Sequence, residues 1–275
     1  MVPFDPYLLL LCAATGLVAG TLGGMLGIGG GIVIVPALLL LFDARGIDPL
    51  LAAPMAVATS LATIIFTSLS AARAQIRRGA VEWTVVRRWT AFLIIGSLAS
   101  GQVAVLFPVG ALPIFIGVFL LIASAVMFAD WRPAPHRALP GLLPNAGLGF
   151  GAGLVSGLAG IGGGNVIVPT LVYFNVPVLR AAATSSTLGV PIALFGTLGY
   201  VFSGWGRTDL PEGTLGFVYL PGAAAVIALA VFAAPFGVQL AHRTPARLLK
   251  RLFAVLLVLA ALRVLYSGLD AIGVV

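Results

Sequence analysis

The chain has 275 residues, of which 60% are hydrophobic and only 8% are charged. Its mean hydropathy of +1.15 is far above what a soluble domain of this length needs to build a core, so we expect a polytopic membrane protein. The net charge of +7 comes from basic residues in short loops. That pattern is typical of the positive-inside rule, so the charge does not indicate a nucleic-acid partner. The single cysteine, Cys12, excludes an intramolecular disulfide and a cysteine-cluster metal site.

Apolar runs recur along the whole chain, whereas the short alternating strands of a transmembrane barrel do not, so the predicted fold class is all-α. The N-terminus has no basic region before its first apolar run, which we therefore interpret as a membrane segment and not as a cleaved signal. The predicted segments are 7–42, 51–72, 85–106, 110–129, 144–174, 182–203, 215–240 and 248–268.

Two of these segments are too long to be single helices across a membrane. The 36 residues from Tyr7 to Phe42 would form a helix of about 54 Å, whereas the bilayer core is about 30 Å thick. A glycine cluster interrupts this segment and also the segment 144–174. We therefore predict that each consists of two short helices joined at the cluster, either as a re-entrant hairpin or as two crossings.

The two interrupted segments are nearly the same peptide. Gly16–Leu38 and Gly149–Leu171 are identical at 14 of 23 positions at a constant offset of 133, including the core GIGGGxVIVPxL. Because the matches include an ordered run of glycines and a proline, they indicate an internal duplication. We predict a first repeat over residues 1–129, a cytoplasmic linker over 130–143 and a second repeat over 144–275. Each repeat is expected to be a Gly-interrupted helical hairpin followed by three transmembrane helices.

The basic loops set the predicted orientation. The regions 73–88, 130–143 and 241–251 are rich in basic residues and are expected on the cytoplasmic side, whereas the loop 205–214 is a poor cytoplasmic candidate. Tracing the chain from these regions puts corresponding loops of the two repeats on opposite sides of the membrane, which is an inverted-topology repeat. Both termini are then extracytoplasmic, and the expected location is the inner cell membrane, crossed many times.

The glycine triplets are the first candidate binding residues. At membrane depth, successive glycines leave backbone N–H groups uncovered, and such groups beside a helix N-terminus form an anion site. Close helix packing is the alternative, and it is the expected role of the stripe Gly16, Gly20 and Gly24. Pro36 and Pro169 leave two local structures open, because a helix can start at the proline or already at the glycines. The triplets assigned to the substrate are Gly29, Gly30, Gly31, Gly162, Gly163 and Gly164.

Neutral side-chain donors supply the remaining candidates. The segments 58–61 and 183–186 each contain a Thr–Ser pair in the first full helix after a glycine cluster. Hydroxyls in membrane helices often bond only to their own backbone, but the symmetric recurrence favours substrate contacts. An asparagine replaces Ile32 beside the second triplet, and its amide needs partners, either on another helix or on a ligand. These candidates are Thr59, Ser60, Thr184, Ser185 and Asn165.

The positions of the acidic residues and histidines restrict the chemistry. All eight acidic residues and both histidines fall in loops or near predicted helix ends. No buried group is therefore expected to relay protons, hold a metal ion or activate a serine nucleophile. We predict no metal, no cofactor, no catalytic residue and no enzymatic activity. Neutral donors without acids favour a small anionic substrate.

These motifs resemble those of a known family. The tandem GxxxG…GIGGGxxxVP segments, each followed by an Ala-Thr-Ser stretch, are similar to the sulfite exporter TauE/SafE family over nearly the whole chain. The resemblance implies a membrane transporter for sulfite, thiosulfate, sulfoacetate, taurine-related sulfonates or other small organic anions. It maps the family signature onto 29–31 with Pro36, onto 162–164 with Pro169, and onto the two Thr–Ser pairs.

The sequence therefore predicts a secondary transporter in the lipid bilayer, with a sulfur oxyanion or an organosulfonate as the expected substrate. Rocking of one inverted repeat against the other would alternate access to the site. Two other interpretations stay open: a passive anion channel lined by the same residues, and a non-transporting assembly or scaffold protein whose glycines serve only packing. Glycine stripes also suit contacts between copies of the chain, so a homo-oligomer stays open.

Overall fold

The computed structural model describes residues 6–26, 29–128, 141–243 and 246–274, and in that part of the chain ten helices and one small hairpin form the fold. Both chain ends and most of the predicted linker 130–143 lie outside the described residues. In chain order the elements are α1 (Pro6–Leu26), α2 (Gly31–Asp43), α3 (Pro49–Arg77), α4 (Trp83–Ala104), α5 (Ala111–Phe128), α6 (Leu142–Ala159), α7 (Gly164–Tyr173), α8 (Val178–Ser203), β1 (Thr214–Leu215), β2 (Val218–Tyr219), α9 (Leu220–Arg243) and α10 (Ala246–Asp270). The predicted all-α fold class is confirmed.

Each overlong apolar segment is divided into two helices at its glycine cluster, as predicted. The first becomes α1 and α2, and the second becomes α6 and α7. The second helix of each pair is short: α2 has 13 residues and α7 has 10. At 1.5 Å per residue these helices are about 20 Å and 15 Å long, too short to cross a bilayer core alone.

The half-length helices start at the glycines and not at the prolines. Gly30 is the N-cap of α2 with φ 82°, and Gly163 is the N-cap of α7 with φ 87°. Only glycine adopts this left-handed conformation without strain, which is why the break is built from glycine. Pro36 and Pro169 lie inside their helices, so the second of the two local structures left open by the sequence is the one formed.

The predicted segment 215–240 begins too early. Residues 214–219 form an antiparallel hairpin in which Thr214 pairs with Tyr219, and α9 starts only at Leu220. Gly213 and Gly216 both have positive φ, at 82° and 54°, and turn the chain back on itself before the helix. Hydropathy did not register this turn because Leu215, Phe217 and Val218 are themselves apolar.

The helices of the two halves contact one another reciprocally. α1 packs along α9 of the other half, and α6 packs along α4 in the same way, while α3 meets α8 and α5 meets α10. Glycines allow the close approach, as predicted for Gly16 and Gly20 of the stripe. The glycine-to-backbone contacts are Gly16 with Val226, Gly20 with Ala230, Gly149 with Trp89, and Gly153 with Leu93. The last two pairs occupy the positions of the first two with the repeats exchanged.

Helices α3 and α8, each the third helix of its half, lie at the centre of this arrangement. Of the described helices, Pro49–Arg77 and Leu179–Ser203 are long and apolar enough to cross a membrane, and 78% and 56% of the 18-residue apolar window in each are buried. Five further apolar helical stretches of 10–17 residues lie within α1, α2, α5, α7 and α9. Large apolar side chains such as Ile122, Phe232 and Leu259 are exposed on the outer helices α5, α9 and α10, where they suit contact with lipid tails.

Candidate functional site

The two glycine breaks, which are the glycine clusters between α1 and α2 and between α6 and α7, meet inside the protein. A Cβ on Gly31 would overlap the carbonyl oxygen of Gly160 and lie 3.0 Å from the Cα of Ile161. On the second break, a Cβ on Gly189 of α8 would lie 2.7 Å from the carbonyl oxygen of Gly162. The first turn of α2 is therefore in direct contact with the break of the other half. This places Gly31 of the first triplet against residues 160–161, directly before the second triplet, at the N-terminus of the half-length helix α2.

Helix α3 supplies hydroxyl groups to both breaks. Ser60 Oγ donates to the carbonyl oxygen of Gly160 at 2.9 Å, and Thr67 Oγ1 donates to that of Gly29 at 2.9 Å. Both side chains are buried. Carbonyl groups of a non-helical break at this depth need such partners. Ser60, which the sequence assigned to the substrate, thus supports the break that it faces.

The threonines of the two Thr–Ser pairs join the halves of the molecule. Thr59 Oγ1 accepts a hydrogen bond from the backbone N–H of Tyr219 at 3.0 Å, and Thr184 Oγ1 accepts one from the N–H of Glu82 at 2.9 Å. Tyr219 directly precedes α9, and Glu82 is the N-cap of α4. Each threonine therefore ties the start of a helix in the opposite half. Thr184 Oγ1 also donates to the carbonyl oxygen of Arg180, so its hydrogen is already engaged.

Asn165 and Ser185 keep unused hydrogen-bonding groups. The side-chain nitrogen of Asn165 and the hydroxyl of Ser185 are buried and have no hydrogen-bond partner. Asn165 is the second residue of α7, directly after the glycine triplet. Ser185 corresponds to Ser60, which does have a partner. Buried polar groups normally find partners, so these two are suited to a bound ligand.

A cavity of about 230 Å³ reaches the first break from one end of the molecule. It lies between α1, α3 and α9, and Gly29 and Thr67 lie at its inner end. Arg78, the C-cap of α3, lines it at the end where Arg73 and Arg77 are also exposed. The cavity therefore joins a basic surface to the glycine break.

Sequence reasoning did not identify every residue of this cavity. Gln239 lines it, and Arg78 was considered only for its effect on orientation. A signal for Gln239 is present in the sequence, because Gln102 occupies the matching position of α4 in the other half. Aligning the fourth helices of the two repeats would have found this pair.

The electrostatics of the interior agree with a neutral donor set. Apart from aromatic residues, the buried polar side chains in the described part of the chain are all serine, threonine or asparagine. The same residues contain no group of three potential metal ligands. At the end of the molecule that carries β1 and β2, Arg207 binds Asp209 at 2.6 Å, and this hydrogen bond holds the pKa of the Asp209 carboxyl below its usual range. The charge of Arg207 is thus balanced locally.

Comparison with known protein families identifies the chain. The model of the family described as sulfite exporter TauE/SafE matches residues 12–264. This chain belongs to the TauE/SafE family. Among curated relatives, a probable membrane transporter protein of Haemophilus influenzae is 31% identical over 261 residues, covering 92% of this chain and 97% of that protein. The probable membrane transporter protein YunE of Bacillus subtilis is 27% identical over 277 residues, covering 92% and 96%. The probable membrane transporter protein MJ0441 of Methanocaldococcus jannaschii is 30% identical over 241 residues, covering 86% and 88%.

Membership of the TauE/SafE family places the helices of this protein in a membrane. The family is one of membrane transporters, and the relatives cover nearly the full length of this chain. The exposed apolar faces of the outer helices are therefore lipid-facing. The resemblance drawn from the glycine motifs is confirmed, and the matched range includes both glycine breaks and both Thr–Ser pairs.

Proposed function

We propose that this protein is a secondary transporter that carries a small anion across the inner membrane, with a sulfur oxyanion or an organosulfonate as substrate. The observation that carries the proposal is the contact of the N-terminus of the half-length helix α2 with the glycine break of the other half, beside the inner end of a cavity whose entrance is lined by Arg78. The family description, sulfite exporter, supports a sulfur-containing anion.

The anion would be held by neutral donors. The first N–H groups of α2 and α7 have no partner within their own helices, and the aligned peptide dipoles give each N-terminus a partial positive charge. Half-length helices in membrane transporters use such termini to hold anionic groups. The unpartnered amide of Asn165 and hydroxyl of Ser185 add two side-chain donors. Because no donor carries a full charge, the anion can be released after transport.

The transport cycle that we propose uses the two repeats in opposite orientations. Reciprocal packing of α1 on α9 and of α6 on α4 supports a two-fold relation between the halves. With the basic ends of α3 and α4 on the cytoplasmic side, the chain crosses the membrane many times, both termini are extracytoplasmic, and the cavity opens to the cytoplasm. Beyond Gly29 and Thr67 the described residues close the path, since Gly31 packs on Gly160. A closed path favours a carrier over an open pore and requires no catalytic step.

Flux into proteoliposomes tests this function. Radiolabelled sulfite, thiosulfate, sulfoacetate, taurine and a carboxylate would be offered to wild type and to Asn165→Leu and Gly163→Val. Valine at Gly163 would have to adopt φ 87°, which a β-branched residue avoids. We expect saturable flux of a sulfur anion by wild type and its loss in both variants. Gly151→Ala is the matched control, because a Cβ at Gly151 meets nothing within 4 Å.

Two outcomes would contradict the proposal. The first is no flux above empty liposomes for any of the five compounds with folded wild-type protein, which would favour the scaffold interpretation. The second is full flux in both variants, which would show that the glycine break and Asn165 do not form the site.

A further inference from the structure

We propose that the interface between α4 and α8 is a second access path in its closed state, equivalent to the open cavity between α9, α1 and α3. This inference rests on the proposed transport function, which it extends by assigning residues to the other half of the route. Each pair of equivalent helices in the two repeats is related by a constant offset in residue number. The first helices match at an offset of 133, the third helices at 125, as the two Thr–Ser pairs show, and the fourth at 137.

Residues that line the cavity in one half have counterparts in the other half that contact one another. Ala74 of α3 and Gln239 of α9 both line the cavity. Their counterparts are Gly199 of α8 and Gln102 of α4. Gln102 Nε2 donates to the carbonyl oxygen of Gly199 at 3.4 Å, so this pair bridges the two helices directly.

Backbone contacts show how tightly the second interface is closed. A Cβ on Gly101 would lie 2.5 Å from the backbone nitrogen of Tyr200 and would overlap Gly199. A Cβ on Gly199 would in turn overlap the carbonyl oxygen of Leu98. Helix α4 also packs more extensively on α8 than α9 packs on α3. One helix pair is thus closed and its equivalent pair is partly open.

Apolar side chains fill the space that corresponds to the cavity. Thr67 and Ser70 line the cavity, and Ile192 and Phe195 stand at their counterparts. Ile192 is fully buried, and its Cδ1 lies 2.7 Å from where a Cβ on Gly163 would be. Ile192 therefore blocks the closed path at the second glycine break.

Unpartnered polar atoms provide an independent indication of a path that opens. Ser156 Oγ and Tyr200 Oη are buried without hydrogen-bond partners. Ser156 is the counterpart of Gly23, which lines the cavity, and Tyr200 follows Gly199. Leaving hydroxyls buried and unpaired costs free energy, and such groups in a native structure call for an explanation. Hydration of both groups when α4 moves away from α8 supplies one.

Opening of this path would expose a polar wall to the anion. Ser97, Ser100 and Ser156 are all buried, and a Cβ on Gly157 of α6 would lie 2.6 Å from the Cβ of Ser100. The counterparts of Ser97 and Ser100 are Ala234 and Gly237, so at these two positions only the second path carries hydroxyls. In the opposite conformation, the anion would leave past these serines while α9 closes on α3.

Accessibility of engineered cysteines tests the second path without knowledge of the substrate. In a Cys12→Ala background, Ser70→Cys probes the open cavity, and Ser156→Cys and Ser97→Cys probe the closed path. Ser124→Cys is the matched control, since Ser124 is equally buried but lies between α5 and α10, where its hydroxyl donates to Ala254. A membrane-impermeant charged methanethiosulfonate would be applied to inside-out and to right-side-out vesicles.

We expect Ser70→Cys to react from one side and the two closed-path cysteines to react at least tenfold faster from the opposite side, while Ser124→Cys reacts from neither. Absence of reaction at both Ser156→Cys and Ser97→Cys, or reaction from the side that labels Ser70→Cys, would overturn the inference. Anion flux measured on the same variants separates the two proposals. Flux without opposite-side labelling contradicts the second path alone, whereas opposite-side labelling without flux of any tested anion contradicts the proposed substrate.

Discussion

Single residues decide whether the two glycine breaks can meet. Gly31 has no room for a side chain, because a Cβ there would overlap the Gly160 carbonyl oxygen and lie 2.7 Å from Ile64 Cδ1. Neither neighbour can retreat easily, since one is backbone and the other is fully buried. The fit between the breaks therefore depends on the absence of one methyl group.

Gly31→Ala should separate the breaks and abolish anion flux. Overpacking of this kind typically costs about 1–3 kcal/mol, so we expect a lower melting temperature in detergent together with at least a tenfold loss of flux. Gly151→Ala on α6 adds the same methyl group in open space and should leave both measurements near wild type. Wild-type flux in Gly31→Ala would show that the contact between the breaks has no part in transport.

Asn165 has a buried side-chain nitrogen that makes no hydrogen bond within the protein. Asn165→Leu removes a buried unpaired group, so the melting temperature should stay equal or rise. If Asn165 binds the anion, the apparent affinity for substrate should fall by about tenfold, in line with the loss of one hydrogen bond to a charged group. A lower melting temperature with unchanged substrate affinity would instead make Asn165 a structural residue.

At the scale of elements, the lengths and glycine clusters were sufficient to predict that two apolar segments divide into helix pairs. The start of the half-length helices was not predictable, because an interior proline removes a backbone hydrogen bond and is unfavourable by local rules. Pro36 is buried within α2 all the same. Its acceptance depends on packing against other helices, which no local pattern contains.

The Thr–Ser pairs show the same limit for the candidate site. Their recurrence predicted equivalent roles, and the threonines are indeed equivalent, since each accepts a hydrogen bond from the residue that directly precedes a helix of the other half. Their partners lie 102 and 160 residues away in the chain, so spacing alone could not identify them. The serines differ, because Ser60 is paired and Ser185 is not. The assignment of all four residues to the substrate remains a prediction.

Substitution of Thr184 separates a helix tie from a substrate contact. Thr184→Val removes the acceptor for the Glu82 N–H and should lower stability by about 1–3 kcal/mol, as expected for a polar group left unpaired. Thr184→Ser keeps the acceptor and should retain stability and flux. Thermal melting and flux would be measured on both variants. A loss of substrate affinity in Thr184→Val without any loss of stability would contradict the role of this threonine as a tie.

At the scale of the whole molecule, the duplication predicted from the sequence is matched by reciprocal contacts between the halves. What the sequence did not contain is the difference between the halves: an open cavity beside α3 and a closed interface beside α8. Under the alternating access that we propose, the open and the closed interface would be exchanged in the opposite conformation. A sequence pattern predicts the helices of a fold but not which of two equivalent interfaces is open.

The orientation of the molecule gives a direct prediction. A reporter that is active only in the cytoplasm should be inactive when fused after Val275, and active when fused after Gly79, in the basic region 73–88. Alkaline phosphatase, which is active outside the cytoplasm, should give the reverse pattern. Cytoplasmic activity of the fusion at Val275 would contradict the inverted arrangement of the repeats.

The central claim is that an anion held between the two glycine breaks is carried by alternating access, and counterflow measures this most directly. Proteoliposomes loaded with unlabelled thiosulfate would be diluted into a trace of radiolabelled thiosulfate, with sulfite as a second pair. The account predicts transient accumulation of label above equilibrium by wild type and none by Asn165→Leu. Equilibration of label without accumulation would indicate a channel, and equal accumulation in Asn165→Leu would place the site elsewhere.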